Sequence, residues 1–251
     1  MGLFKKNNAS KGEKRDIGNF AGFALLSEPR LDKEKFFADL KADWDIDVPD
    51  DPEPEDDVIY ADVNGYRVVV GLMPAPVPDG EAEYWAKGNY MWQDAVEVAA
   101  SHKAHAIIAI LGKEDDLIEK GKLFVKAVCA IMKQETAVAF YNEGAVFPPK
   151  MYLDFAGLMS DGHVPVLNLV WLGIFSDGKQ SGVYTYGMRR MGKEEMEVYI
   201  KADKADFNEL REFMLTIASY VLETGATPRR RNDRLYRGAE TPDHAQQGRR
   251  R

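Results

Sequence analysis

One cysteine, four histidines and no long apolar run are the scarcities of these 251 residues. The single thiol, Cys129, closes no internal disulfide, and the N-terminus MGLFKKNNASKGEKRD lacks the apolar stretch of a secretory signal, which points to the cytoplasm. The longest strand-like run, VLNLVWLGIF, is about half the roughly 20 apolar residues that cross a bilayer, so no membrane partner is expected. Gly2 is present, but Lys6 stands where the myristoylation pattern needs Ser or Thr. GxSxG, Walker A and GxGxxG motifs are absent, which withdraws the usual support for acyl transfer, phosphate cradling and dinucleotide binding, and no cofactor is expected.

What is present is enough apolar material, 45% of the chain, to bury a real core. Charge is unevenly placed. Residues 1–16 carry five basic and two acidic side chains and residues 226–251 carry eight arginines and three acids, so a net charge of −8 leaves the stretch between them at −16. An interior that acidic repels phosphates, which confines any contact with nucleic acid to the Arg-rich tail.

Along the chain, residues 1–19 form a polar basic leader and 226–251 a disordered tail. Between them FAGFALLS begins order, and KEKFFADLKADW, capped by Asp32, places Phe36, Phe37, Leu40 and Trp44 at helical spacing. VIYADVNGYRVVVGLM folds about Asn64-Gly65 as a hairpin, a helix spans the Trp-rich stretch, and HAIIAILG is a strand. The resulting β-α-β-β-α-β order predicts an α+β fold of ferredoxin-like type over 20–112. A second such half follows over 113–225, with antiparallel sheets and helices on one face. In EEMEVYIKA the alternation turns Met196, Val198 and Ile200 one way and Glu195, Glu197 and Lys201 toward water.

The stretch Tyr186–Gly225, with Gly187-Met188, Gly192, Glu195-Met196-Glu197-Val198 and an aliphatic helix ending Tyr220-Val221-Leu222, resembles the C-terminal segment of the bacterial Domain of Unknown Function 4261 family. The resemblance implies a bacterial cytoplasmic protein and assigns no catalytic residue.

Chemistry concentrates in YWAKGNYMWQDAVEVAASHKAH, which holds two of the four tryptophans and two of the four histidines. On a helix Met91, Ala95, Val98 and His102 align, with Trp92, Val96 and Ala99 beside them, the stripe of a sheet-packing helix. Tyr84, Trp85, Asn89, Tyr90 and Trp92, beside a Pro-rich loop and loosened by Gly88, are the material of a protein-recognition surface. The leading expectation is a non-enzymatic module that binds another protein, of which an inhibitor or immunity-type role is one version. The alternative is a small-molecule enzyme with His102 or His105 as general acid or base, oriented by Glu97 or Asp94. No metal is expected: Asp43, Asp45 and Asp47 mimic the first ligands of a calcium loop, but Val48 and Pro54 stand where that loop needs Gly and Glu.

Overall fold

Local chemistry sets the elements of the computed structural model, which describes residues 17–48, 58–142 and 144–226. Asn64 and Gly65 both take positive φ (52° and 83°), the type I′ geometry that joins β2 (Val58–Val63) to β3 (Tyr66–Met73). Asp32 caps α1 (Lys33–Trp44) by accepting from Lys35 N, and Asp116 caps α4 (Leu117–Met132) by accepting from Glu119 N. The proposed calcium mimic is held by lysines instead. Lys41 Nζ reaches Asp45 (2.8 Å) and Asp47 (2.6 Å), which pushes its pKa up to about 12, and Asp43 pairs with Lys133. The remainder of that acidic loop, the basic leader to residue 16 and the Arg-rich tail from 227 lie outside the described residues.

The chain is α+β and divides into two compact units, the first ending at Leu169 and including Arg190–Gly192, the second comprising Val170–Arg189 and the chain from Lys193. The expected seam at 112/113 is not where this division falls. β5 (Ala137–Asn142) and β6 (Ala145–Phe147) join β1 (Phe20–Leu26) and β4 (Ala104–Gly112) in one antiparallel sheet of order β2-β3-β4-β1-β5-β6. The chain order β-α-β-β-α-β is present, but β4 lies between β3 and β1, so β1 and β2 are three antiparallel steps apart and run in opposite directions. A split βαβ unit would make them parallel.

Helices cover this sheet on both faces, not one. On one face Phe124 of α4 lies against Phe20 and Phe140, with ring centroids 6.1 and 6.0 Å apart. On the other, α2 (Glu81–Ala86) and α3 (Ala95–Ser101) pack against Leu25, Ala139, Tyr141 and Val146. β1 alternates between these two cores, which is why FAGFALL is apolar at every position: a strand buried on both sides has no wet face to mark with polar residues. Gly22 sits where a Cβ would lie 2.5 Å from the ring of Phe140, so only glycine admits that contact.

α5 (Pro149–Ala156) starts at a proline, as expected. The apolar run after it does not form a single strand. Val166–Leu169 is a short helix (α6), where buried Asn168 donates Nδ2–H to the Tyr152 carbonyl (2.8 Å), and the strand β7 starts only at Trp171. In the second unit β7 (Trp171–Ser176), β8 (Gln180–Tyr186) and β9 (Glu197–Lys201) form an antiparallel sheet, and α7 (Phe207–Thr224), capped by Asp206 and ended by Gly225 at φ 71°, packs on it. Glu195 is a correction to the alternating pattern. It is buried, accepting from Thr185 Oγ1 (2.8 Å), Gly187 N (2.8 Å) and Arg189 N (3.2 Å), because it precedes β9 and closes the turn after β8.

Candidate functional site

Alanine brings the Trp-rich segment onto the sheet. Ala82, Ala86, Ala95 and Ala99, spaced i to i+4 within α2 and α3, are buried, and their small side chains let both helices approach Leu25 and Tyr141. The segment is not one helix. α2 ends at Ala86, and Asn89 organises the break: its Oδ1 accepts from Met91 N (3.0 Å) and Trp92 N (3.2 Å), while its Nδ2 donates to the Val146 carbonyl (2.5 Å). A side chain that satisfies the backbone of the next two or three residues competes directly with helix continuation, and Gly88 just before it offers no propensity to resist. The register of the expected stripe changes accordingly, and Val96 points outward at 38% exposure.

This break sorts the aromatic residues. Trp85 and Trp92 are half-buried against the Ala82–Tyr141 cluster, whereas Tyr84 is 52% and Tyr90 39% exposed. Tyr84 stands edge-on to Trp85, with centroids 5.6 Å apart, so a ring fixed by the core braces one that is not. Tyr84, Tyr90 and Val96 thus present apolar surface from α2, the turn and α3. The sheet face that α2 and α3 cover only in part carries half-buried Tyr60, Val69, Ile107 and Ala109, and exposed Met73 and Leu111.

The two histidines do different work. His102, 4% exposed, caps α3: its Nδ1 bonds the Ala99 carbonyl and its Nε2 accepts the Val77 N–H at 2.8 Å. Accepting at Nε2 requires the proton on Nδ1, so the ring is neutral and both nitrogens are committed to backbone. His105 is also buried, with Nδ1 bonded to the Ala75 carbonyl (2.7 Å) and its ring 5.8 Å from that of Phe23. Together they pin the segment between β3 and α2 to the sheet. Among the described residues neither bonds a carboxylate. Asp94 and Glu97 are exposed, so the acid/base constellation of the alternative reading is not assembled.

Cys129 is buried in α4, and desolvation, with the Asp43 charge in support, pushes its thiol up to about 12, the opposite of an activated nucleophile. Among the described residues, no group of three or more His, Cys, Asp or Glu is placed to hold a metal ion. No helix among them is long and apolar enough to cross a membrane.

Sequence reasoning missed two arrangements. One is the pairing of both imidazoles with a single loop, since a backbone partner 25 or 30 residues away leaves no sequence signal. The other is the pairing of glycines with aromatic rings on the second sheet, Gly173 opposite Tyr184 and Gly182 opposite Phe175, for which a signal existed: aromatic residues and glycines alternating at period two in WLGIF and GVYTY. Comparison with protein-family models, curated proteins and solved structures finds no match for this chain.

Proposed function

We propose that this protein is a non-enzymatic binding module of the bacterial cytoplasm that recognises another protein through the surface of Tyr84, Trp85, Asn89, Tyr90 and Trp92. The observation that carries the proposal is the sorting of that segment: Trp85 and Trp92 anchor it in the core while Tyr84 and Tyr90 face solvent. Rigid, half-anchored aromatics give large contact area at low entropic cost, the usual chemistry of interface hot spots. The acidic composition between the tails favours a basic partner by electrostatic steering, which is the ground for an inhibitor or immunity-type role. The bacterial setting rests on the resemblance of Tyr186–Gly225 to the uncharacterised family, and the cytoplasmic one on the single cysteine. Catalysis by His102 or His105 is the weaker reading, because both nitrogens of His102 serve the backbone and the buried His105 has its Nδ1 held by the Ala75 carbonyl.

The test is a tagged full-length chain and its Tyr84→Ala, Tyr90→Ala double variant used to capture proteins from bacterial lysate. The variant should keep the wild-type melting temperature, since both side chains are exposed, and lose the retained protein, at a cost of about 2 kcal/mol or more if either ring is a hot spot. Retention of the same proteins by both chains would remove this surface from the proposal.

A further inference from the structure

In the six-stranded sheet, register divides β2, β3 and β4 between two faces of unlike burial. Ile59, Val68, Val70, Ile108 and Ile110 share one face and are buried. Their neighbours along the strands form two rows on the other face, continued onto β1. One row is Tyr60, Val69, Ala109 and Ala21, the next Val58, Gly71, Ile107 and Phe23, and all eight are only half-buried. Leu111 stands beyond the first row at 53% exposure. α2 and α3 pack on the β5 and β6 side of this face and leave the two rows open beside them. An antiparallel sheet marks a wet face with polar residues, and a strand apolar on both sides is one covered on both sides. RVVVGLM and HAIIAILG carry that second pattern on strands with one open face.

We propose that these rows are the contact between two copies of this chain, packed sheet on sheet about a two-fold axis that runs along the strands between β3 and β4. Such an axis returns each row onto itself. Val69 of one copy lies over Ala109 of the other, Gly71 over Ile107 and Tyr60 over Ala21, while Val58 meets Phe23 at the border. Three of these four pairings set a large side chain on a small one, the interdigitation that two sheets about 10 Å apart require. The same axis carries α2 and α3 of each copy out past β2 of the other, so the helices do not hold the sheets apart. Charge selects the same occupant. Asp62 and Arg67, the charged strand positions of this open half, close on each other through Nε (2.8 Å) and Nη2 (2.9 Å), which leaves the face neutral on a chain whose stretch between the tails carries −16. A basic partner finds no net negative charge there, and a second acidic copy meets no like charge. Four strands about 4.8 Å apart and about eight residues long offer roughly 500 Å² a side. Two such faces bury about 1,000 Å², the lower bound of a specific interface, so the dimer is a weak one. The pairings use neither Tyr84 nor Tyr90, and the contact goes beyond the recognition surface proposed above.

Sedimentation velocity of the full-length chain between about 1 and about 100 µM should show monomer passing to dimer, with a Kd of micromolar order. The decisive variant is Gly71→Val. Within one copy that position is open, since a Cβ there meets only Met73 Cε, at 3.9 Å, so the melting temperature should hold. In the dimer the added methyl groups collide with Ile107 of the second copy, and the Kd should rise about tenfold or more. An equimolar mixture of the Gly71→Val and Ile107→Ala chains should dimerise again, because the enlarged side chain of one then faces the shortened side chain of the other. Should Gly71→Val lower the melting temperature, Leu111→Lys decides in its place: the position is exposed, it faces Arg67 of the second copy, and like charges there should cause a similar loss. A wild-type chain still monomeric at about 100 µM overturns the proposal, as does a dimer that survives both variants or a mixture that stays monomeric. A monomer that instead floats with phosphatidylcholine vesicles, and no longer does so as Leu111→Lys, overturns it in favour of a membrane surface.

Discussion

The six-stranded sheet carries helices on both faces and the three-stranded sheet has one helix-bearing face and one wet one, and glycines in the two respond to opposite constraints. Gly22 lies under Phe140 and Phe124, both fully buried, with nowhere to move. Gly173 lies under the far end of Tyr184, which is half-buried and free to lift toward water. The first sheet spends most of its aromatic residues on packing, and the second leaves most of its own half-buried. Polar groups follow the same division. In the first sheet the buried imidazoles serve backbone atoms, and the most exposed aromatic side chains, Tyr84 and Tyr90, lie on α2 and in the break that follows it.

The largest test of this contrast is the pair Gly22→Ala and Gly173→Ala. The first should lower the free energy of unfolding by about 3 kcal/mol through overpacking, and the second by less than about 1 kcal/mol, both read from urea titrations. Equal costs would mean that the wet face is as rigidly packed as the covered one. Next in size, His102→Leu leaves the Val77 N–H buried without an acceptor and should cost about 2 kcal/mol, with amide exchange at Val77 rising by an order of magnitude or more. A variant as stable as the wild type would show that the loop does not depend on the imidazole.

A third test concerns pH. Burial raises the Cys129 thiol from an ordinary 9.0 to about 12, so the unfolded chain ionises first as pH climbs. The stability associated with the protonated thiol is therefore complete below about pH 9 and is lost progressively up to about 12, at no more than roughly 1.4 kcal/mol per pH unit. Unfolding free energies between pH 8 and pH 11 should accordingly fall faster for the wild type than for Cys129→Ala, and parallel slopes would place the thiol in contact with water.

How far the sequence could be followed varies by element. The hairpin at Asn64-Gly65, the caps Asp32 and Asp206 and the stop at Gly225 were legible, because each is a contact between residues a few positions apart. The split in the Trp-rich helix was half legible: Gly88 signalled weakness, but the bond from Asn89 to Val146 that fixes the turn spans 57 residues. Ferredoxin-like order was inferred from the succession of elements, and succession does not say which strand lies beside which. Helices on one face was the natural expectation for an antiparallel sheet, yet the continuous apolar runs FAGFALL and HAIIAILG carried the sign of burial on both sides.

The sequence by itself determined most helices, strands and turns, the placement of charge at the two ends of the chain, and the supply of aromatic side chains, since propensity, capping and composition act over a few residues. Tertiary structure alone decided that β4 inserts between β3 and β1, that both imidazoles close on one loop, and that the Tyr184 and Phe175 rings pass close to glycines of neighbouring strands. Those outcomes depend on contacts between residues far apart in the chain, whose energies exist only once the backbone has brought them together.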